Sequence, residues 1–314
     1  FWRVVDDFQI HAGLSYDHLD YPIGNETLPI TDEQKTSDQW SPKLGGIWTI
    51  RTNAHVYGAW TRSLGGMYYD TSMRLEPAQM GGFPQVYRSL IPESAPGAVA
   101  GLVPGAEFET LGVGIDHRLG AGTYLGLEVE QLSQAADRWV GTFAYGVGGM
   151  AGASNTRQKL DYEEKNLRVS IHQLLGRDWS CGARYGFSRA DLETAFPEIP
   201  EAVQAHSGII FDDRNRADLH RLDLYLDFHH ACGFFSRLES SWYSQSNHGY
   251  ESAMPGDDFL QVHLFAGYRF PRRVAEIQVG ILNLTDTDYH LNPLNLHPYL
   301  QRDRTFTCRL QFRF

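Results

Sequence analysis

Apolar and polar residues alternate with a period of two along most of this chain. After Leu219, residues Leu222, Leu224, Leu226 and Phe228 fall on one side, and Arg221, Asp223, Tyr225, Asp227 and His229 on the other. A helix scatters such positions around its circumference, whereas a strand sends successive side chains to opposite faces. The same split sets Leu111, Val113 and Ile115 against Gly112, Gly114 and Asp116. It sets Phe306, Cys308, Leu310, Phe312 and Phe314 against Thr307, Arg309, Gln311 and Arg313. The pattern predicts about twelve strands. They lie near 8–19, 42–51, 54–64, 107–118, 123–133, 158–174, 179–192, 216–229, 234–245, 258–270, 275–285 and 304–314. Many match the ~9–11 residues that a tilted strand needs to cross a bilayer.

The connections alternate short and long. Short ones fall at Arg51–Asn53, Gly120–Gly122, Gly176–Asp178, His230–Gly233 and Pro271–Arg273. Long ones fall near 20–41, 65–106, 134–157, 193–215, 246–257 and 286–303. A soluble sandwich has no reason to place every short turn at one end. An outer-membrane barrel has short periplasmic turns and long extracellular loops. Aromatics gather at the short-turn ends (Trp48, Tyr124, Trp179, Phe234, Phe270) and near the long loops (Tyr16, Trp139, Tyr145, Trp242, Tyr289). Two such belts suit the two lipid–water interfaces. The expected fold is all-β: an antiparallel transmembrane β-barrel region over 1–314, with about twelve strands visible and the character of the C-terminal part of a larger barrel.

Composition narrows the functions. The 314 residues carry 27 Lys plus Arg and 38 Asp plus Glu, a net charge of −11, which argues against nucleic-acid binding. The mean hydropathy of −0.37 looks soluble, yet alternating strands average to that value in a barrel too. Cys181, Cys232 and Cys308 are far apart and form neither a metal pair nor a disulfide framework. His55, His172, His229 and His263 share the polar parity without chelating spacing, so no metal site is expected. Asp212-Asp213 and Asp257-Asp258 read as solvated turns. GxSxG, HExxH and P-loop motifs are absent from the sequence, so neither an enzyme nor a cofactor is expected. The chain opens at Phe1 with no signal-peptide pattern, which fits a piece of a longer protein.

Several segments carry a family resemblance. Trp2 to Asp17, containing Ala12-Gly13-Leu14-Ser15-Tyr16-Asp17, resembles a hairpin of TonB-dependent receptor barrels. So do Trp40-Ser41-Pro42-Lys43-Leu44-Gly45, the strand ending Trp60-Thr61-Arg62-Ser63, and Leu282-Asn283-Leu284-Thr285-Asp286-Thr287-Asp288-Tyr289. The closing stretch Arg304 to Phe314 resembles their last strand, and Leu310, Phe312 and Phe314 resemble the signal read by the barrel-assembly machinery. Pro104-Gly105-Ala106-Glu107 alone echoes the loop motif that precedes a mid-barrel strand. The resemblance implies a bacterial outer-membrane location and a barrel of about twenty-two strands around a plug that is absent from this chain. It implies contact with TonB only through that plug.

Charges on the lipid side cost several kcal/mol near the midplane, so the polar parity is expected to face the lumen. The lumen-lining candidates are Glu128, Arg184, Asp223, Asp227, Arg237, Glu239 and Arg269. The 65–106 connection is the candidate ligand loop, through Tyr68, Tyr69, Arg74, Glu76, Tyr87 and Arg88. Aromatic and Arg side chains suit sugars, siderophores and anionic groups. The expected function is energised uptake of a scarce ligand: a metal chelate, a cobalamin or a glycan. A passive porin, a polysaccharide-export channel, and a structural or adhesive barrel are the alternatives. Outer-membrane lipid and lipopolysaccharide are the expected surroundings.

Overall fold

A computed structural model describes residues 2–24, 29–65, 79–84, 103–145, 151–200, 213–249 and 254–312. The strands are β1 (Trp2–Val5), β2 (Phe8–Pro22), β3 (Gln34–Arg51), β4 (Ala54–Leu64), β5 (Gln79–Met80), β6 (Phe83–Pro84), β7 (Glu107–Leu119) and β8 (Thr123–Tyr145). They continue as β9 (Ala151–Leu175), β10 (Trp179–Ala195), β11 (Asp213–His229), β12 (Phe234–His248), β13 (Gly256–Arg269), β14 (Ala275–Leu282) and β15 (Thr305–Phe312). Thirteen of them form one antiparallel meander in chain order, and β5–β6 is a separate small hairpin. One 3₁₀ turn, Pro271–Arg273, joins β13 to β14.

Register assigns the faces. Leu111, Val113 and Ile115 of β7 point outward, with Val113 56 % exposed, whereas Phe108 on the opposite parity is 4 % exposed. The outward set continues through Leu125, Leu127 and Val129 of β8 and Val169 and Ile171 of β9, and through the alternating leucines of β11. From Leu260 to Phe270 the outward residues cover about 33 Å along the chain. At a tilt near 40° that is roughly the ~25 Å apolar band of an outer-membrane barrel. Trp48, Trp179, Phe234 and Phe270 are exposed at the short-turn edge, as expected. Tyr124 differs, because its register opposite His172 puts it on the inner parity. Tyr289 differs too, since it is buried against the inner wall and joins no belt.

Two expectations about extent change. Beyond the expected set, β1 pairs with β2 as a further strand. β3 starts at Gln34, β8 runs to Tyr145 and β9 starts at Ala151, through residues read above as loop. The reason is physical. Past the apolar band the outward face turns polar (Glu163, Asp161, Asp191) while the inward face turns apolar (Leu160, Tyr162, Leu192), so the parity that marks lipid reverses while the backbone ladder goes on. Cross-strand pairs on the outward face such as Arg62–Glu107 (2.8 Å) accompany it.

Candidate functional site

The inner face differs from one end to the other. Near the long connections it is covered by chain that folds inward. Residues 283–304, between β14 and β15, lie along β10–β13. Carboxamides hold them there. Gln245 Nε2 donates to the Asn292 carbonyl (3.1 Å), and the Asn292 N–H donates to Gln245 Oε1 (2.6 Å). Gln261 Nε2 donates to the carbonyls of Thr287 and Gln301, each at 2.9 Å. Asn295 Nδ2 reaches the carbonyls of Ser188 (3.2 Å) and Ala217 (3.0 Å). Asn283, fully buried, donates to the carbonyls of Thr287, Gln301 and Arg302, and its Oδ1 accepts from the Thr287 N–H (3.1 Å). Its φ of +50° is a left-handed conformation that Asn tolerates better than most residues.

Rings complete the seam. Tyr243, Phe259 and Tyr289 stack at centroid distances of 5.2 and 5.4 Å, and Arg302 lies 4.6 Å from the Tyr289 ring. A second apolar cluster joins Val103, Ala106, Phe108, Leu132, Leu160, Tyr162 and Leu192, with Leu294 packed against it. This seam was missed from sequence, apart from Asn283 within its motif. Gln245 and Gln261 at inward positions gave a weak signal.

The β5–β6 hairpin also lies inside. Phe83 is fully buried and packs against Tyr57 (5.6 Å between centroids). It sits where a Cβ on Gly112 would overlap its ring. Gly81, at φ +51°, approaches Gly45 so closely that a side chain on Gly45 would meet its backbone. Part of the 65–106 connection, residues 79–84, therefore packs on the inner face of the sheet. The expected ligand residues Tyr68, Tyr69, Arg74, Glu76, Tyr87 and Arg88 lie outside the described residues.

Toward the short turns the inner wall of β9–β12 leaves a concavity of about 380 Å³. Five of the seven expected lumen residues line it: Arg184, Asp223, Asp227, Arg237 and Glu239. His172, Arg221, Tyr225 and Ser241 join them. Glu128 and Arg269 are on the same face but outside it: Arg168 pairs with Glu128, and Arg269 bonds Glu276 (2.6 Å). Arg237 sits between Asp227 (3.2 Å) and Glu239 (2.8 Å), with its guanidinium 5.4 Å from the Tyr225 ring. Arg221 pairs with Asp223 (2.7 Å), which also accepts from Ser241 Oγ (2.7 Å). His172 Nδ1 meets the Tyr225 hydroxyl at 2.8 Å. Arg184 is exposed in this basin and has no hydrogen-bond or ion-pair partner among the described residues. A guanidinium with free donors is suited to a carboxylate or phosphate. The described residues contain no group of three His, Cys, Asp or Glu side chains able to hold a metal ion.

No family model matches the chain, and no curated protein matches it. Solved structures do. The copper transporter OprC aligns with a TM-score of 0.54 at 14 % identity, over 100 % of this chain and 46 % of that one. The chain thus spans less than half of that protein's length. The toluene transporter TodX of Pseudomonas putida aligns at a TM-score of 0.34 and 10 % identity, over 99 % of this chain and 81 % of that one. A FadL homologue of Pseudomonas aeruginosa aligns at 0.36 and 10 %, over 91 % and 72 %. The apolar outer face, the polar inner face and the likeness to the first of these agree: the chain has the fold of an outer-membrane β-barrel wall.

Proposed function

We propose that this chain is part of a bacterial outer-membrane transporter that takes up a scarce, anion-bearing ligand by the energised route of TonB-dependent receptors. The observation that carries the reading is the charged inner basin under an inward-folded seam, with Arg184 left uncommitted in it. Paired charges make a wetted wall, and the free guanidinium supplies a contact for a carboxylate or phosphate passing along it. The ordered motif resemblance from Trp2 to Phe314 supports the family. The nearest concrete classes are a metal chelate carrying carboxylates, a phosphate-bearing cobalamin or an acidic glycan. Transport rather than catalysis is the role proposed. In a plugged, energised transporter the wall holds cargo briefly and the plug relays the pull. In a passive channel the same wall would only set ion selectivity.

The test uses the full-length protein in its own outer membrane. Uptake of labelled candidate chelates is measured with and without the proton gradient, alongside conductance of the purified protein in planar bilayers. Uptake that collapses with the gradient, together with low conductance, supports the reading. Gradient-independent uptake with open conductance replaces it with a passive channel.

A further inference from the structure

The charges of the inner basin are not paired one to one. The guanidiniums of Arg184, Arg221 and Arg237 and the carboxylates of Asp223, Asp227 and Glu239 line it. Arg221 takes Asp223 (2.7 Å). Arg237 takes both remaining acids, Asp227 (3.2 Å) and Glu239 (2.8 Å), through the same Nε. A single N–H does not serve two carboxylates fully, and one cation neutralises one of them. Arg184 therefore keeps a positive charge without a partner among the described residues, and the Asp227–Glu239 side keeps a negative one. The basin is neutral as a whole and dipolar within.

Neighbouring groups leave both poles standing. Arg168 is held by Glu128 and Glu130, and Arg269 by Glu276 (2.6 Å). Asp223 stands opposite Arg184 in the register, yet it is already bonded by Arg221 and by Ser241 Oγ. Asp116, in the same row toward β7, is three strands from Arg184, about 14 Å between backbones. His263 of β13 stands opposite Glu239, but its Nδ1 accepts the Asn283 N–H (2.8 Å), the bonding of a neutral ring. His172 spends Nδ1 on the Tyr225 hydroxyl (2.8 Å).

Register also sets the distance between the poles. Arg184 on β10 and Glu239 on β12 are two strand spacings and one inward row apart, about 12 Å between Cα atoms. Strand side chains stand roughly perpendicular to the sheet, so their tips keep about that spacing. A charge-assisted contact of about 2.8 Å at each end leaves roughly 6 Å for the ligand, the span of a short extended alkyl chain. Tyr225 lies between the poles and offers its ring to that chain.

We propose that the basin selects a zwitterionic ligand, with its anionic group on Arg184, its ammonium between Asp227 and Glu239, and a chain of about five carbons joining them. This rests on the reading of the wall as a path for an anion-bearing cargo and sharpens it. An anion alone leaves the second pole unanswered, whereas a zwitterion of this length satisfies both.

The test measures equilibrium binding of δ-aminovalerate, valerate, pentylammonium and glycine to the full-length protein in detergent at low ionic strength. Glycine is a zwitterion too short to span the poles. δ-Aminovalerate is expected to bind roughly tenfold more tightly than each of the others, from one added charge-assisted contact. Arg184→Gln is expected to weaken δ-aminovalerate and valerate about tenfold and to leave pentylammonium unchanged. The double variant Asp227→Asn, Glu239→Gln releases Arg237, so preference is expected to pass to the dianion adipate, whose carboxylates have the same span. A gain of adipate binding is not produced by damage to the fold, and heat-modifiable gel mobility checks that each variant is folded. Valerate or glycine binding as tightly as δ-aminovalerate, or an unchanged preference in the double variant, overturns the zwitterion while leaving uptake of an anion intact. Binding indifferent to Arg184→Gln removes the anion contact itself, and with it the reading on which the zwitterion rests.

Discussion

The two ends of the inner face hold themselves by different chemistry. At the long-connection end, carboxamides of the wall bond the backbone of residues 283–304, and the Tyr243–Phe259–Tyr289 stack excludes water around them. At the short-turn end, Arg221, Arg237, Asp223, Asp227 and Glu239 pair across a basin open to water. Neutral amides suit the first task because they satisfy buried carbonyls without the desolvation cost of an ion. Ion pairs suit the second because solvated pairs contribute little to stability and exchange readily with water. The difference separates a dry, neutral seam from a wetted, charged basin within one wall.

The sharpest break comes at Asn283. Replacing it with Ala removes the partners of the Arg302 carbonyl and the Thr287 N–H, and leaves the carbonyls of Thr287 and Gln301 to Gln261 alone. A loss of about 3 kcal/mol or more is expected from the sum of such groups. Urea unfolding of the refolded barrel in detergent measures it, and a loss under 1 kcal/mol would show that the seam does not depend on this residue. Gln245→Leu removes the paired bonds to Asn292 and should cost about 2 kcal/mol. Limited proteolysis should then cut within 286–303 first, while the strands stay protected.

A smaller effect is expected at Gly112. Gly112→Ala overlaps the Phe83 ring and should displace the β5–β6 hairpin at a cost of about 1–3 kcal/mol. A Met80→Cys reporter should pass from unreactive to labelled in that background. Unchanged protection of position 80 would mean that the wall yields instead. Arg184→Gln at the other end should leave stability within about 0.5 kcal/mol of wild type. It should nevertheless raise the KM for anionic cargo, and an unchanged KM would remove Arg184 from the transport path.

The mildest perturbation is acid. The backbone N–H of Tyr289, and then Arg302, hold Asp288 below its ordinary value of 3.8. Its folded pKa is depressed, so its contribution is present above pH 3.8 and fades as pH falls through the lowered value. Amide exchange at Tyr289 should accelerate in that acid window and not between pH 5 and 8. An Asp288→Asn variant should flatten the response.

Much of this was legible along the chain. The period of two fixed the apolar face, because a side chain exposed to lipid must be apolar on every strand. Leu222, Leu224 and Leu226 announce that face without any partner in view. The lumen parity of Arg184, Asp223, Asp227, Arg237 and Glu239 followed as its complement. The ends of β8 and β9 were not legible, because there the apolar parity switches from the outward to the inward face, against chain that only the fold brings in. The inward seam was also hidden, since Gln245 and Asn292 are polar residues that read as surface until their partners, 47 positions apart in sequence, come together.

The sequence alone determined the strand period, the outward face, the alternating connection lengths and the motif order, because each is written in near neighbours facing one fixed solvent. Only the tertiary structure decided which connections fold inward, which six charges share a basin, and that Lys165 stands beside Arg189. Those outcomes depend on register between distant strands, where a one-residue slip would send every side chain to the other face.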